Sequence, residues 1–96
     1  MPDISVSRAN DTTFRVTVAE SGSRSTHDVT VTPDDVARYA PGASPEDLVR
    51  ASFVFLLERE PKESILSRFE LPVIERYFPE YPRVIGTLKG GTGSRV

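Results

Sequence analysis

Phe53-Val54-Phe55-Leu56-Leu57 is an unbroken apolar run inside a stretch opened by Ser44-Pro45-Glu46-Asp47 and closed by the charged series Glu58-Arg59-Glu60-Pro61-Lys62-Glu63. A capping serine, a proline at the first helical position and acids in the first turn together mark a helix N-terminus. Pro61 has no amide hydrogen and would clash with the carbonyl four residues back, so a helix ends or kinks there. The spacing predicts a helix from Pro45 to about Arg59, with Leu48, Val49, Ala51, Phe53, Val54, Phe55, Leu56 and Leu57 spread around nearly its whole circumference. A helix that is apolar on all sides must be covered on all sides. A chain of 96 residues buries only about 60 to 65% of its unfolded surface, so a partner chain is an expected source of that cover. The competing reading, a buried strand over Phe53 to Leu57, is disfavoured by the cap and by the length of the segment.

Upstream, the apolar period is two. Ile4 and Val6 alternate with Ser5 and Ser7. Phe14, Val16 and Val18 alternate with Thr13, Arg15, Thr17 and Ala19, and His27, Val29 and Val31 alternate with Asp28 and Thr30. Half-buried strands carry this signature. Asn10-Asp11 and Ser21-Gly22-Ser23-Arg24-Ser25 supply the reversals between them. A three-stranded antiparallel meander with one apolar face is the expected result. Thr32-Pro33-Asp34-Asp35 then opens a short helix with the residues of a capping box, and Pro41-Gly42 stops it.

Downstream of Pro61 a fresh helical turn is expected, with Ile65, Leu66 and Phe69 on one side. Leu71-Pro72 interrupts it, and Val73, Ile74, Tyr77, Phe78 and Tyr81 form an apolar stripe in which Pro79 and Pro82 prevent a long regular helix. The fold class is therefore α+β: meander, short helix, long hydrophobic helix and a proline-broken helical C-terminal segment. Residues 1–86 form a single domain, and 87–96, rich in glycine, form a flexible tail.

Several function classes lose support on composition. With no cysteine and a single histidine, thiol catalysis and thiolate metal sites are absent, and the acids show no metal-loop spacing. No metal and no cofactor are expected. The longest apolar run is far short of the roughly 20 residues that cross a bilayer, and the N-terminus lacks the pattern of a signal peptide. A cytoplasmic protein without membrane contact is the expectation. Gly90-Gly91-Thr92-Gly93 follows no strand and opens no helix, so it is not a phosphate loop.

His27 stands beside Asp28, but neighbours on a strand point to opposite faces and cannot form a catalytic pair. An edge or end position in a strand is the expected role for this histidine. The charged series at 58–63 reads as a solvated helix junction, with Glu58 to Lys62 and Arg59 to Glu63 spaced for i, i+4 pairs. Arg8, Arg15 and Arg24 could decorate a sheet face that meets nucleic acid. The net charge of −2 and the lack of paired aromatics on that face argue against it.

The most suggestive group is Phe69, Tyr77, Phe78 and Tyr81, half of the chain's aromatics within a short segment that cannot form a stable element alone. Tyrosine and phenylalanine are typical anchors at protein interfaces. With Phe53 and Phe55 of the helix they make up the candidate partner-binding set, and no catalytic residue is assigned. The stretch Phe55-Leu-Leu-Glu-Arg-Glu-Pro-Lys-Glu-Ser-Ile-Leu66, followed by Val73-Ile74 and Tyr77-Phe-Pro-Glu-Tyr81, resembles a family of short bacterial and archaeal proteins without assigned activity. That resemblance covers the second half of the chain and implies a stand-alone protein with no catalytic residues to carry over. Taken together these features point to a non-enzymatic, homodimeric interaction protein, with an antitoxin-like nucleic-acid-binding regulator as the alternative.

Overall fold

The three alternating runs pair as expected. In the computed structural model, which describes residues 2–90 and side chains as far as Gly86, β1 (Asp3–Arg8), β2 (Thr13–Glu20) and β3 (Ser23–Thr30) form an antiparallel meander. Val6 faces Val16, which faces His27, so period two delivers one continuous apolar row. At the first reversal the Asn10 carboxamide accepts the amides of Thr12 and Thr13, both at 3.0 Å. The second reversal is only Ser21-Gly22, with φ of 56° and 82°. Positive φ at both central residues matches the twist of the flanking strands, so Ser23 to Ser25 are released into β3 instead of forming a longer loop.

The sheet has a fourth strand that the meander reading lacks. After α1 (Pro33–Tyr39), α2 (Pro45–Leu57) and one turn of 3-10 helix (Lys62–Ser64), the chain extends as β4 (Arg68–Glu70) and pairs parallel to β3. The expected helical turn after Pro61 therefore lasts only as far as Ser64. A parallel neighbour needs a long crossover, which the two helices supply. Sheet order is β1-β2-β3-β4.

Both predicted caps are in place. The Thr32 hydroxyl and the Asp35 carboxylate satisfy each other's backbone amides at the start of α1, and the Ser44 hydroxyl accepts the Asp47 amide at the start of α2. The helix α2 stops at Leu57, short of Arg59, so the anticipated i, i+4 pairs do not form. Arg59 instead bonds Glu80 at 3.0 Å, caps the Phe55 carbonyl at 3.1 Å and lies 3.7 Å over the Phe55 ring, while Lys62 turns to Glu63.

The chain itself covers the all-round apolar helix. Phe53 faces the sheet, with ring centroids 5.3 Å from His27 and 6.2 Å from Phe69. On a second face Phe55 meets Tyr81 edge-on at 5.2 Å, and the buried Ser52 hydroxyl donates to the Leu48 carbonyl and accepts from the Tyr81 hydroxyl, each at 2.7 Å. Asp47, Arg50, Val54 and Glu58 lie along the stripe left to solvent. The second face is covered by α4 (Tyr81–Gly90), reached through α3 (Val73–Tyr77). Pro79 separates α3 from α4, but Pro82 sits in the first turn of α4, where an amide would have no helical acceptor. Residues 87–90, expected in a flexible tail, belong to α4; 91–96 lie outside the described residues.

Candidate functional site

The six aromatic residues of the expected partner-binding set divide between core and surface. Phe53, Phe55 and Tyr81 are 0% exposed and fill the chain's own core, and Phe69, 8% exposed, is also packed in that core but reaches the wall of a cleft. Phe78 is half-buried, edge-on to Phe55 at 5.7 Å. Tyr77 is 67% exposed. The division follows from α4, whose Tyr81 and Ile85 occupy the face of α2 that the sheet leaves open.

Tyr77 stands at the mouth of an apolar cleft of about 370 Å³, with Leu56, Ile65, Leu66, Phe69, Val73, Ile74 and Phe78 in its walls and Glu60 and Ser64 as its polar members. Leu66, on its rim, is 47% exposed. A groove continues from this cleft along β4, past Arg68, Glu70, Val73 and Arg76. Large apolar side chains left together at the mouth of a concave surface mark binding sites more often than scattered single ones. Leu66 and Val73 lie outside the partner set named from sequence, because nothing in an apolar pair between two serines, or in a valine after a proline, distinguishes wall from core.

His27 holds the rim in place. It is 2% exposed, in an internal strand and not at an edge, because β4 covers the far side of β3. Its Nδ1 lies 2.8 Å from the Leu66 carbonyl and its Nε2 lies 2.7 Å from the Ser25 hydroxyl. A carbonyl can only accept, so Nδ1 carries a proton, and in the neutral ring Nε2 then accepts from the Ser25 hydroxyl. Serine and histidine within such reach can act as nucleophile and base. Here the ring is tilted at 53° to that of Phe53, neither residue lines the cleft or its groove, and the two hydrogen bonds fasten β3 to the start of β4. Asp28 points to the other face, where it bonds Arg15 at 3.0 Å. That hydrogen bond holds the Asp28 carboxyl below the usual carboxylate range.

The open sheet face is mixed in charge. Arg15, Arg24 and Arg68 alternate there with Asp3, Asp28 and Glu70, and Arg8 turns instead to the core side, 4.8 Å over the Phe14 ring. Among the described residues there is no group of three or more side chains suited to a metal ion, and no helix is long and apolar enough to cross a membrane.

Backbone polarity adds a second element to the cleft. The Asp28 amide donates to the Ser67 carbonyl and the Leu71 amide to the Thr30 carbonyl, which with the register places the amide and carbonyl of Phe69 on the β3 side. Those of Arg68 and Glu70 therefore point outward. At the opposite edge the equivalent outward carbonyl of Ile4 accepts Arg50 at 2.7 Å, so β1 is partly covered, whereas among the described residues no such bond reaches the outward edge of β4.

Behind the cleft, Glu75 accepts the Tyr39 hydroxyl at 2.7 Å and pairs with Arg38 at 3.3 Å. Burial, and then the bond to Glu75, push the Tyr39 hydroxyl from its ordinary value of 10 up to about 12, and burial raises Tyr81 in the same direction. A raised folded value means the neutral form is favoured by folding. The contribution is whole below about pH 10, where the unfolded tyrosine is also neutral, and is lost as pH rises towards 12. Denaturant melts along an alkaline series are expected to show stability falling across that window, with a shallower fall in Tyr39→Phe; equal slopes in the two proteins would remove Tyr39 as a cause.

No family model matches the chain, and no curated protein or solved structure matches it.

Proposed function

We propose that this chain is a small, non-catalytic interaction protein that binds another polypeptide at the cleft between β4 and α3. The observation that carries the reading is the coincidence of exposed Leu66 and Tyr77 with an apolar concavity and a strand edge that has no backbone partner among the described residues. Strand edges give main-chain hydrogen bonds and neighbouring pockets select side chains, the two parts of recognition by strand addition. A nucleic-acid-binding regulator is the second reading, drawn from Arg15, Arg24 and Arg68 on the open face. Arg15 is already committed to Asp28, and the interleaved acids work against a phosphate backbone.

A photo-crosslinking phenylalanine analogue placed at Tyr77 is expected to form covalent adducts with polypeptide, whereas the same group at Arg24, on the opposite face, is expected to form none. Adducts to nucleic acid from position 24, with none from position 77, would replace this reading by the second one.

A further inference from the structure

The cleft and strand edge described above need an occupant, and the backbone of β4 says which chain fits. We infer that it is a second copy of the same chain, added antiparallel, β4 to β4, across a two-fold axis at Phe69. The inference rests on the interaction reading and names its partner.

Three features converge. The first is hydrogen-bond parity: Arg68 and Glu70 have the outward-facing amides and carbonyls, so an antiparallel pairing centred on Phe69 makes Arg68 with Glu70 of the other copy, and Glu70 with Arg68, the narrow pairs that exchange both bonds. Every outward polar group of the strand is then satisfied. Charge is the second. In that register each arginine faces a glutamate on the same sheet face, twice by symmetry. Sliding the centre to residue 68 or 70 opposes like charges, as does a parallel pairing, and like charges directly opposite are destabilising. One register is thus selected and its neighbours are rejected. The third is cover. Leu66 and Tyr77 line the groove that runs along this edge, so pairing there buries apolar surface that the monomer leaves in water. The other edge does not compete equally, since Arg50 occupies the Ile4 carbonyl. The product is one continuous sheet through two protomers, an isologous interface that closes on itself.

Charge reversal tests this without touching the core, because Arg68 and Glu70 are both exposed. Sedimentation of the full chain at high micromolar concentration is expected to show a dimer. R68E alone and E70R alone each place four like charges around the axis and are expected to raise the dissociation constant about tenfold or more. The double variant R68E/E70R restores self-pairing, and an equimolar mixture of the two single variants forms the heterodimer. A wild-type dimer that both single variants leave unchanged would overturn the β4 register. A wild type that stays monomeric while the group at Tyr77 still crosslinks to a different polypeptide would overturn the second-copy inference and leave the interaction reading standing. A monomer with no crosslink at all removes both.

Discussion

Phe55→Ala is expected to cost about 3–5 kcal/mol, the usual range for emptying a buried phenylalanine site, and so to bring a domain of about 5–15 kcal/mol total stability close to unfolding. The residue is 0% exposed. Its ring touches Phe78 and Tyr81 edge-on and lies under the Arg59 guanidinium, so truncation opens a cavity that three separate elements would have to collapse to fill. Tyr77→Ala, at the rim of the cleft, is expected to change stability by no more than about 0.5 kcal/mol, while it weakens association. Urea melts followed by far-ultraviolet circular dichroism, read beside sedimentation of the same samples, separate the two effects. An F55A chain that melts like the wild type yet no longer associates would return Phe55 to the binding surface, where sequence reasoning had placed it.

His27→Phe is expected to destabilise by about 1 kcal/mol, the usual net contribution of a hydrogen bond, because the Leu66 carbonyl it leaves without a donor is only part-buried. The substitution keeps an aromatic ring against Phe53, so packing is largely retained and the loss falls on the Leu66 carbonyl and the Ser25 hydroxyl. Because His27 ties β3 to the start of β4, the effect should be local as well as global. Amide hydrogen exchange is expected to speed up at Phe69 and Leu71, whose donors close the parallel ladder, before it does in β1 and β2. Uniform acceleration across the sheet would mean that the histidine supports the whole core and not this junction. Loss of the fastener would also loosen Leu66, so the variant is expected to associate more weakly than its change in stability alone explains.

The different fates of the aromatic residues show why the proposed binding surface was only half legible in the sequence. Read from sequence, Tyr77, Phe78 and Tyr81 lie on one stripe of a proline-broken segment, and Phe69 lies on the turn before Leu71-Pro72. In the fold they belong to four different settings: a strand, the end of α3, the link after it and the first residue of α4. Pro82 brings this about by opening a helix in its first turn, which swings Tyr81 inward against Phe55 and leaves Tyr77 outside. His27 was misplaced for a related reason. Its alternation with Val29 and Val31 correctly gave the face, but whether β3 is an edge depends on β4, a three-residue strand whose partner lies some forty positions earlier in the chain.

Local chemistry in the sequence was sufficient for the meander, for both capped helix starts and for the apolar face of each strand, because period two, a capping hydroxyl and an N-terminal proline act within a few residues of one another. It also established that α2 requires cover on more than one side. What supplies that cover was decided only by the tertiary structure: α4 takes the face the sheet cannot reach, and β4 turns β3 into an internal strand. Both depend on contacts between residues distant in sequence, where packing overrides local pattern. The same long-range pairing leaves Leu66, Tyr77 and the outward edge of β4 uncovered by the described residues, which is the surface proposed to take a second copy.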